Sequence, residues 1–132
     1  MSPAEVEVVD GVAHRLFDAI ERGDKTAVAQ LWADDVSVWH AGDTKDNDRT
    51  RALKVIDWFI NATSERHYEV LDRQFFDGGF VQQHVLHATG RNGGSISLRV
   101  CIVVKVATSG LITKIDEYFD PTELEPLLRP GN

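Results

Sequence analysis

The run from residue 21 to residue 40, ERGDKTAVAQLWADDVSVWH, changes its hydrophobic period half-way along. Gly23 ends one helical pattern, and Asp24 is suited to cap a second, short helix that turns Ala27, Val28, Leu31 and Trp32 inward. Ala33-Asp34-Asp35 breaks that period, after which Val36, Val38 and His40 recur at strand spacing. A helix therefore feeds directly into a strand whose last inward residue is His40, at the edge of the polar run GDTKDNDRT.

Upstream, Val9, Val12, Ala13, Leu16, Phe17 and Ile20 form one stripe of a helix. Downstream, Asp48 predicts the cap of a third helix with Leu53, Ile56, Phe59, Ile60 and Thr63 on one side. The remainder reads as β-structure. Segments 68–76, 80–89, 95–107 and 111–119 are rich in β-branched and aromatic residues, and the Gly-bearing turns between them predict consecutive antiparallel hairpins. Asp120-Pro121-Thr122-Glu123 has the chemistry of a late helix start. The expected class is α+β, one domain over residues 1–132: a curved antiparallel β-sheet wrapped around three N-terminal helices, forming a cone with an internal pocket.

With 42% apolar residues in 132, the chain is long enough to bury a core without a disulfide, and its single cysteine, Cys101, has no partner in any case. A net charge of −7 and the lack of a Lys/Arg stripe argue against nucleic acid. No apolar run approaches the roughly 20 residues of a membrane helix, and the start lacks the pattern of a secretion signal, so a soluble cytoplasmic protein is expected.

Two strings, ERGDKTAVAQLWADDVSVWH at 21–40 and GLITKIDEYFDPTELEPLL at 110–128, resemble the nuclear transport factor 2-like superfamily, in particular its SnoaL-like branch. The resemblance spans nearly the whole chain. It implies a cone that hosts ketosteroid isomerases, limonene-epoxide hydrolases, polyketide cyclases, dehydratases and non-catalytic binding modules. By resemblance to ketosteroid isomerase, His40 stands where that family has its general-base carboxylate, while its oxyanion-holding Tyr and Asp fall at Leu16 and Ile102. By resemblance to limonene-epoxide hydrolase, Glu117 replaces the water-activating Asp. The Tyr and Asn that position the water fall at Val38 and His40, and the Arg and Asp that bridge to the epoxide fall at His84 and Leu86. The SnoaL-like cyclases imply acid/base chemistry by a pocket carboxylate or histidine without metal or cofactor, parts that Glu117 and His40 would take.

Strand alternation gives a separate reading of which side chains can meet. Ile115 and Phe119 facing inward carry Glu117 with them; Leu86 and Ala88 carry Gln82 and His84; Leu98, Val100, Ile102 and Val104 share the same face. The expected pocket is apolar, with His40, Glu117 and His84 as candidate catalytic groups. Its expected substrate-binding residues are Trp32, Val38, Trp58, Phe59, Gln82, Leu86, Ile102 and Phe119. A buried carboxylate is costly alone, so Glu117 is expected to pair with His40, His84 or Gln82. The two histidines of HVLH lie on opposite faces of a strand, which disfavours a metal site. The run DTKDNDRTR reads as a solvated loop and helix start, or as a lid. Val85, His87, Cys101 and Val103 make the outer sheet face too apolar to be fully wet, and with the resemblance they predict a homodimer through it.

Two functions follow as expectations. One is a cofactor-independent isomerase, cyclase or hydrolase acting on a small apolar metabolite through His40 and Glu117. The other is a ligand-binding or dimerisation module of the same fold without turnover.

Overall fold

The computed structural model describes residues 1–130. Its elements run α1 (Pro3–Arg22), α2 (Lys25–Leu31), β1 (Trp32–His40), α3 (Arg49–Ala62), β2 (Thr63–Phe76), β3 (Gly79–Gly90), β4 (Ser95–Val106) and β5 (Ile112–Tyr118). A 3-10 turn (Pro121–Leu124) and the short α4 (Glu125–Leu128) follow.

Local chemistry sets the boundaries. Asp24 and Asp48 cap α2 and α3 by accepting the amides of Ala27 and Arg51. Gly23 closes α1 in the left-handed conformation, φ 72°. Beyond it, Arg66 on β2 donates to the carbonyls of Ile20 on α1 (2.8 Å), Thr63 (3.0 Å) and Ile60 on α3 (3.3 Å). One guanidinium thus satisfies the open C-terminal ends of both long helices and ties them to the sheet. Asp120 accepts the Thr122 amide, and the turn it starts is 3-10 before it becomes α4.

The five strands form one sheet in the order β1-β5-β4-β3-β2. The hairpins β2–β3, β3–β4 and β4–β5 are antiparallel. β1 instead lies parallel to β5, with His40 opposite Glu117, so the sheet is mixed rather than antiparallel throughout. A strand's own alternation reports which face is buried, not the direction of its neighbour, and α3 and the whole meander separate these two strands in the chain. The inner face is as the alternation predicts: Gln82, His84, Leu86, Leu98, Val100, Ile102 and Val104 are buried beneath the helices. Among the described residues no helix is long and apolar enough to cross a membrane.

The β3–β4 turn holds the C-terminal segment in place. Asn92 donates its side-chain amide to the carbonyls of Pro126 (3.0 Å) and Arg129 (2.7 Å), and Leu127 is buried. A Cβ on Gly94 would stand 2.2 Å from the Pro126 carbonyl oxygen, closer than any side chain tolerates. Gly94→Ala is therefore expected to push this segment outward and to lower stability by about 1–3 kcal/mol in urea denaturation.

Candidate active site

α3, the sheet and the segment after β5 leave between them a cavity of about 260 Å³. Ile20 of α1, Ile56 and Phe59 of α3, Leu86 of β3 and Leu98 of β4 make its apolar wall, while Phe119, Pro121 and Leu124 form the lip. Val55 and Trp58, 38% and 39% exposed, stand at the mouth. The polar groups that reach it are His40, Asp43, Tyr68 and Glu117. Few polar points in an apolar wall is the usual form of a small-molecule site.

Glu117 projects from β5 with Ile102 opposite on one side and His40 on the other. Its carboxyl makes no hydrogen bond to the described residues. Burial pushes it above its ordinary 4.5, against the pull of His40. The expected pairing with His40, His84 or Gln82 is not formed: His40 turns Nδ1 to Asp43, and Gln82 and His84 bond to each other.

His40 is held by Asp43, three residues on. Asp43 Oδ2 accepts the His40 backbone amide at 2.9 Å and lies 3.1 Å from His40 Nδ1, while Asn47 Nδ2 donates to the same oxygen at 2.8 Å. The run read as a solvated loop thus contributes a carboxylate to the cavity wall.

His84 lies deeper, 1% exposed, behind Tyr68. Gln82 Nε2 donates to His84 Nδ1 at 2.8 Å, Gln82 Oε1 accepts from Arg73 Nε at 2.7 Å, and Arg73 Nη1 donates to Asp10 at 2.8 Å. Burial, and secondarily the charge of Arg73, lower the His84 pKa to about 4. Its ring is neutral at pH 7, so it is not available there as a proton donor. Of the other expected pocket residues, Trp58, Phe59, Leu86 and Phe119 line the cavity; Trp32, Val38, Gln82 and Ile102 are buried in the core away from its wall.

Tyr68 is a cavity residue that alternation did not single out. Its ring is clamped by Phe17 (4.8 Å between centroids, 56°) and His84 (4.9 Å, 89°), and its hydroxyl makes no hydrogen bond to the described residues. Burial first, then the nearby carboxyls of Glu117 and Glu21, push its phenol up, so it stays a donor. The available signal was its place opposite Leu86, but β2 is largely exposed and its polar pattern hides an inner face.

A larger groove, about 570 Å³, lies among Glu21, Glu65, Arg66, His67, His87 and Ser97. It is open and polar, and its histidines are engaged by Glu21 (3.2 Å) and Glu69 (2.8 Å), so it offers no apolar enclosure.

A family model described as a SnoaL-like domain matches residues 13–115. None of the curated proteins compared with the chain matches it. Solved structures share the fold at low identity. An LEH-like epoxide hydrolase of M. tuberculosis superimposes with a TM-score of 0.75 at 17% identity, covering 94% of this chain and 91% of that one. A Δ5-3-ketosteroid isomerase from Mycobacterium sp. gives 0.74 at 19%, covering 88% and 95%. An M. tuberculosis protein in complex with estradiol-17β-hemisuccinate gives 0.76 at 17%, covering 88% and 96%.

Proposed function

The chain belongs to the SnoaL-like domain family, and from that premise we propose that it is a cofactor-independent enzyme that moves a proton on a small apolar ligand, with His40 as acceptor and Glu117 as donor. The observation that carries this reading is the Glu117 carboxyl: without a hydrogen-bond partner among the described residues, raised by burial, and in the same apolar cavity as a histidine backed by a carboxylate. A group so arranged costs stability and holds its proton to higher pH than an ordinary carboxyl, which suits an acid poised to donate.

The reaction this pair supports best is enolisation of an apolar ketone. His40 removes the proton α to the carbonyl, the C–H electron pair forms the enol C=C bond, and Glu117 protonates the carbonyl oxygen. Tyr68 adds a second donor to that oxygen. Isomerisation follows if the proton returns to another carbon, and ring closure if the enol carbon attacks a second carbonyl. A binding role without turnover is favoured by Trp58 and Val55, whose exposure at the mouth would be covered by a bound apolar ligand. Exchange of the α-protons of 1-tetralone for deuterium separates the two: exchange above the buffer rate supports the enzyme, and saturable binding without exchange supports the module.

Glu117→Gln removes the proton donor and also the buried ionisable group. In wild type the folded chain holds its Glu117 proton above the pH at which the unfolded chain releases it, so this residue's contribution to stability is full at low pH. That contribution falls as pH rises through 4.5 towards the raised folded value. The variant is therefore expected to melt higher than wild type at pH 7–8, to lose this pH dependence, and to exchange tetralone more slowly.

The outer sheet face, where Val85, Cys101 and Val103 are half-buried in the single chain, is proposed as a homodimer interface. Sedimentation at twice the 14.7 kDa chain mass would support it.

A further inference from the structure

The segment between β1 and α3 carries more order than a solvated loop needs. Val38 and Asn47 exchange backbone hydrogen bonds in both directions, at 3.0 and 2.7 Å, and Asn47 Nδ2 adds a bond to the Val38 carbonyl at 3.0 Å. Trp39 Nε1 donates to the Asp43 carbonyl at 2.9 Å. Gly42, at φ 95°, lets the chain reverse between His40 and Asp43. All of this fixes one atom, Asp43 Oδ2, against three nitrogens: the His40 amide, His40 Nδ1 and Asn47 Nδ2.

An ionised carboxylate only accepts hydrogen bonds. Burial works to raise the Asp43 carboxyl, but the hydrogen bonds from the His40 backbone, Asn47 and the His40 ring outweigh it and hold the group below its ordinary 3.8. The contact at 3.1 Å is then a bond only if Nδ1 carries the hydrogen. In a neutral imidazole that leaves the lone pair on Nε2, which makes no hydrogen bond to the described residues.

We propose that Asp43 is a positioning residue that locks His40 in the Nδ1–H tautomer, so that Nε2 is the nitrogen that takes a proton from a ligand in the cavity. Free histidine in water favours the opposite tautomer, with hydrogen on Nε2. The bond to Asp43 reverses that preference and fixes the ring plane, while Asn47 fixes Asp43. The loop is thus the support of the base. The proposal rests on the acid/base reading of His40, but the tautomer is a property of the unliganded protein and is tested without substrate.

The experiment is the long-range ¹H–¹⁵N correlation spectrum of the uniformly ¹⁵N-labelled full chain, at a mildly alkaline pH where imidazole is neutral. His40 is expected to show hydrogen on Nδ1 and a bare Nε2. Asp43→Ala is expected to move the hydrogen to Nε2. Asp43→Asn, whose amide oxygen can still accept, should restore the Nδ1–H form. In parallel, Asp43→Ala should slow tetralone exchange at saturation by about tenfold to a hundredfold with KM little changed. A wild-type His40 with hydrogen on Nε2, or a pattern unmoved by Asp43→Ala, overturns the proposal. The wild-type spectrum decides even if the variant fails to fold. The Nδ1–H pattern together with wild-type protein that exchanges no tetralone would sink the enzymatic reading and leave the positioning role of Asp43 intact.

Discussion

His40→Ala is expected to reduce the rate of α-proton exchange on 1-tetralone by about 10²–10⁴-fold, the usual worth of a positioned general base. The fold should survive. His40 ends β1, is not part of the buried hydrophobic core, and leaves behind in Asp43 a carboxylate that still accepts the backbone amide of residue 40 and the Asn47 side chain. The loss should appear in the rate at saturation rather than in KM, because the cavity's apolar wall, which holds the ligand, is untouched. Thermal melting checks the fold, and proton exchange followed by mass spectrometry checks the rate. A variant that exchanges as fast as wild type would remove His40 from the mechanism.

The second large effect concerns stability in acid. As pH falls, the unfolded chain protonates His84 near its ordinary 6.5, whereas the folded chain, with the ring buried beside Arg73, refuses the proton until about 4. Stability is therefore lost as pH falls through that window, by on the order of 3 kcal/mol from this residue. Glu117, whose carboxyl is raised, slopes the other way above 4.5, so the wild-type curve alone mixes the two. His84→Asn separates them, since Asn keeps an acceptor for Gln82 but does not titrate. Urea denaturation at pH 7 and pH 4 should show the variant less stable than wild type at pH 7, because it leaves a small void, yet losing less stability on acidification. Parallel losses in both proteins would mean that His84 takes up its proton in the folded state as easily as in the unfolded one.

Much of this architecture is legible from residue pattern. Asp24 and Asp48 cap the helices they announce, and the alternation through QQHVL and SLRVCIV separates buried from exposed residues, because one apolar face against helices leaves a strict period of two. That period also sends Glu117 inward. It does not report what a buried polar group touches. Gln82 and His84 are inner-face residues as expected, but their partner Arg73 comes from β2 and its partner Asp10 from α1, contacts spanning 9 and 63 residues of chain. They belong to a structural relay under the cavity floor. The parallel pairing of β1 with β5 is equally invisible, since nothing in VSVWH encodes the direction of a strand about 70 residues later.

Asp43 and Tyr68 were hidden for opposite reasons. Asp43 sits in a run whose composition is that of any solvated turn, and its role emerges only once the chain reverses at Gly42 and returns the carboxylate to His40. Tyr68 belongs to a strand so exposed along most of its length that no periodicity marks its one residue in the cavity. That two polar groups in the same cavity, Glu117 and the Tyr68 hydroxyl, do not satisfy one another is not visible in the sequence. Among the described residues neither has a hydrogen-bond partner, which on the proposed reading leaves both for a ligand.

The central claim is that His40 and Glu117 act together on one ligand, and a double-mutant cycle on tetralone exchange tests it most directly. If they serve one transition state, His40→Ala and Glu117→Gln will each cost most of the acceleration, and the double variant will be little slower than either. Independent, multiplicative losses, or a wild-type protein that exchanges no faster than buffer, would contradict it.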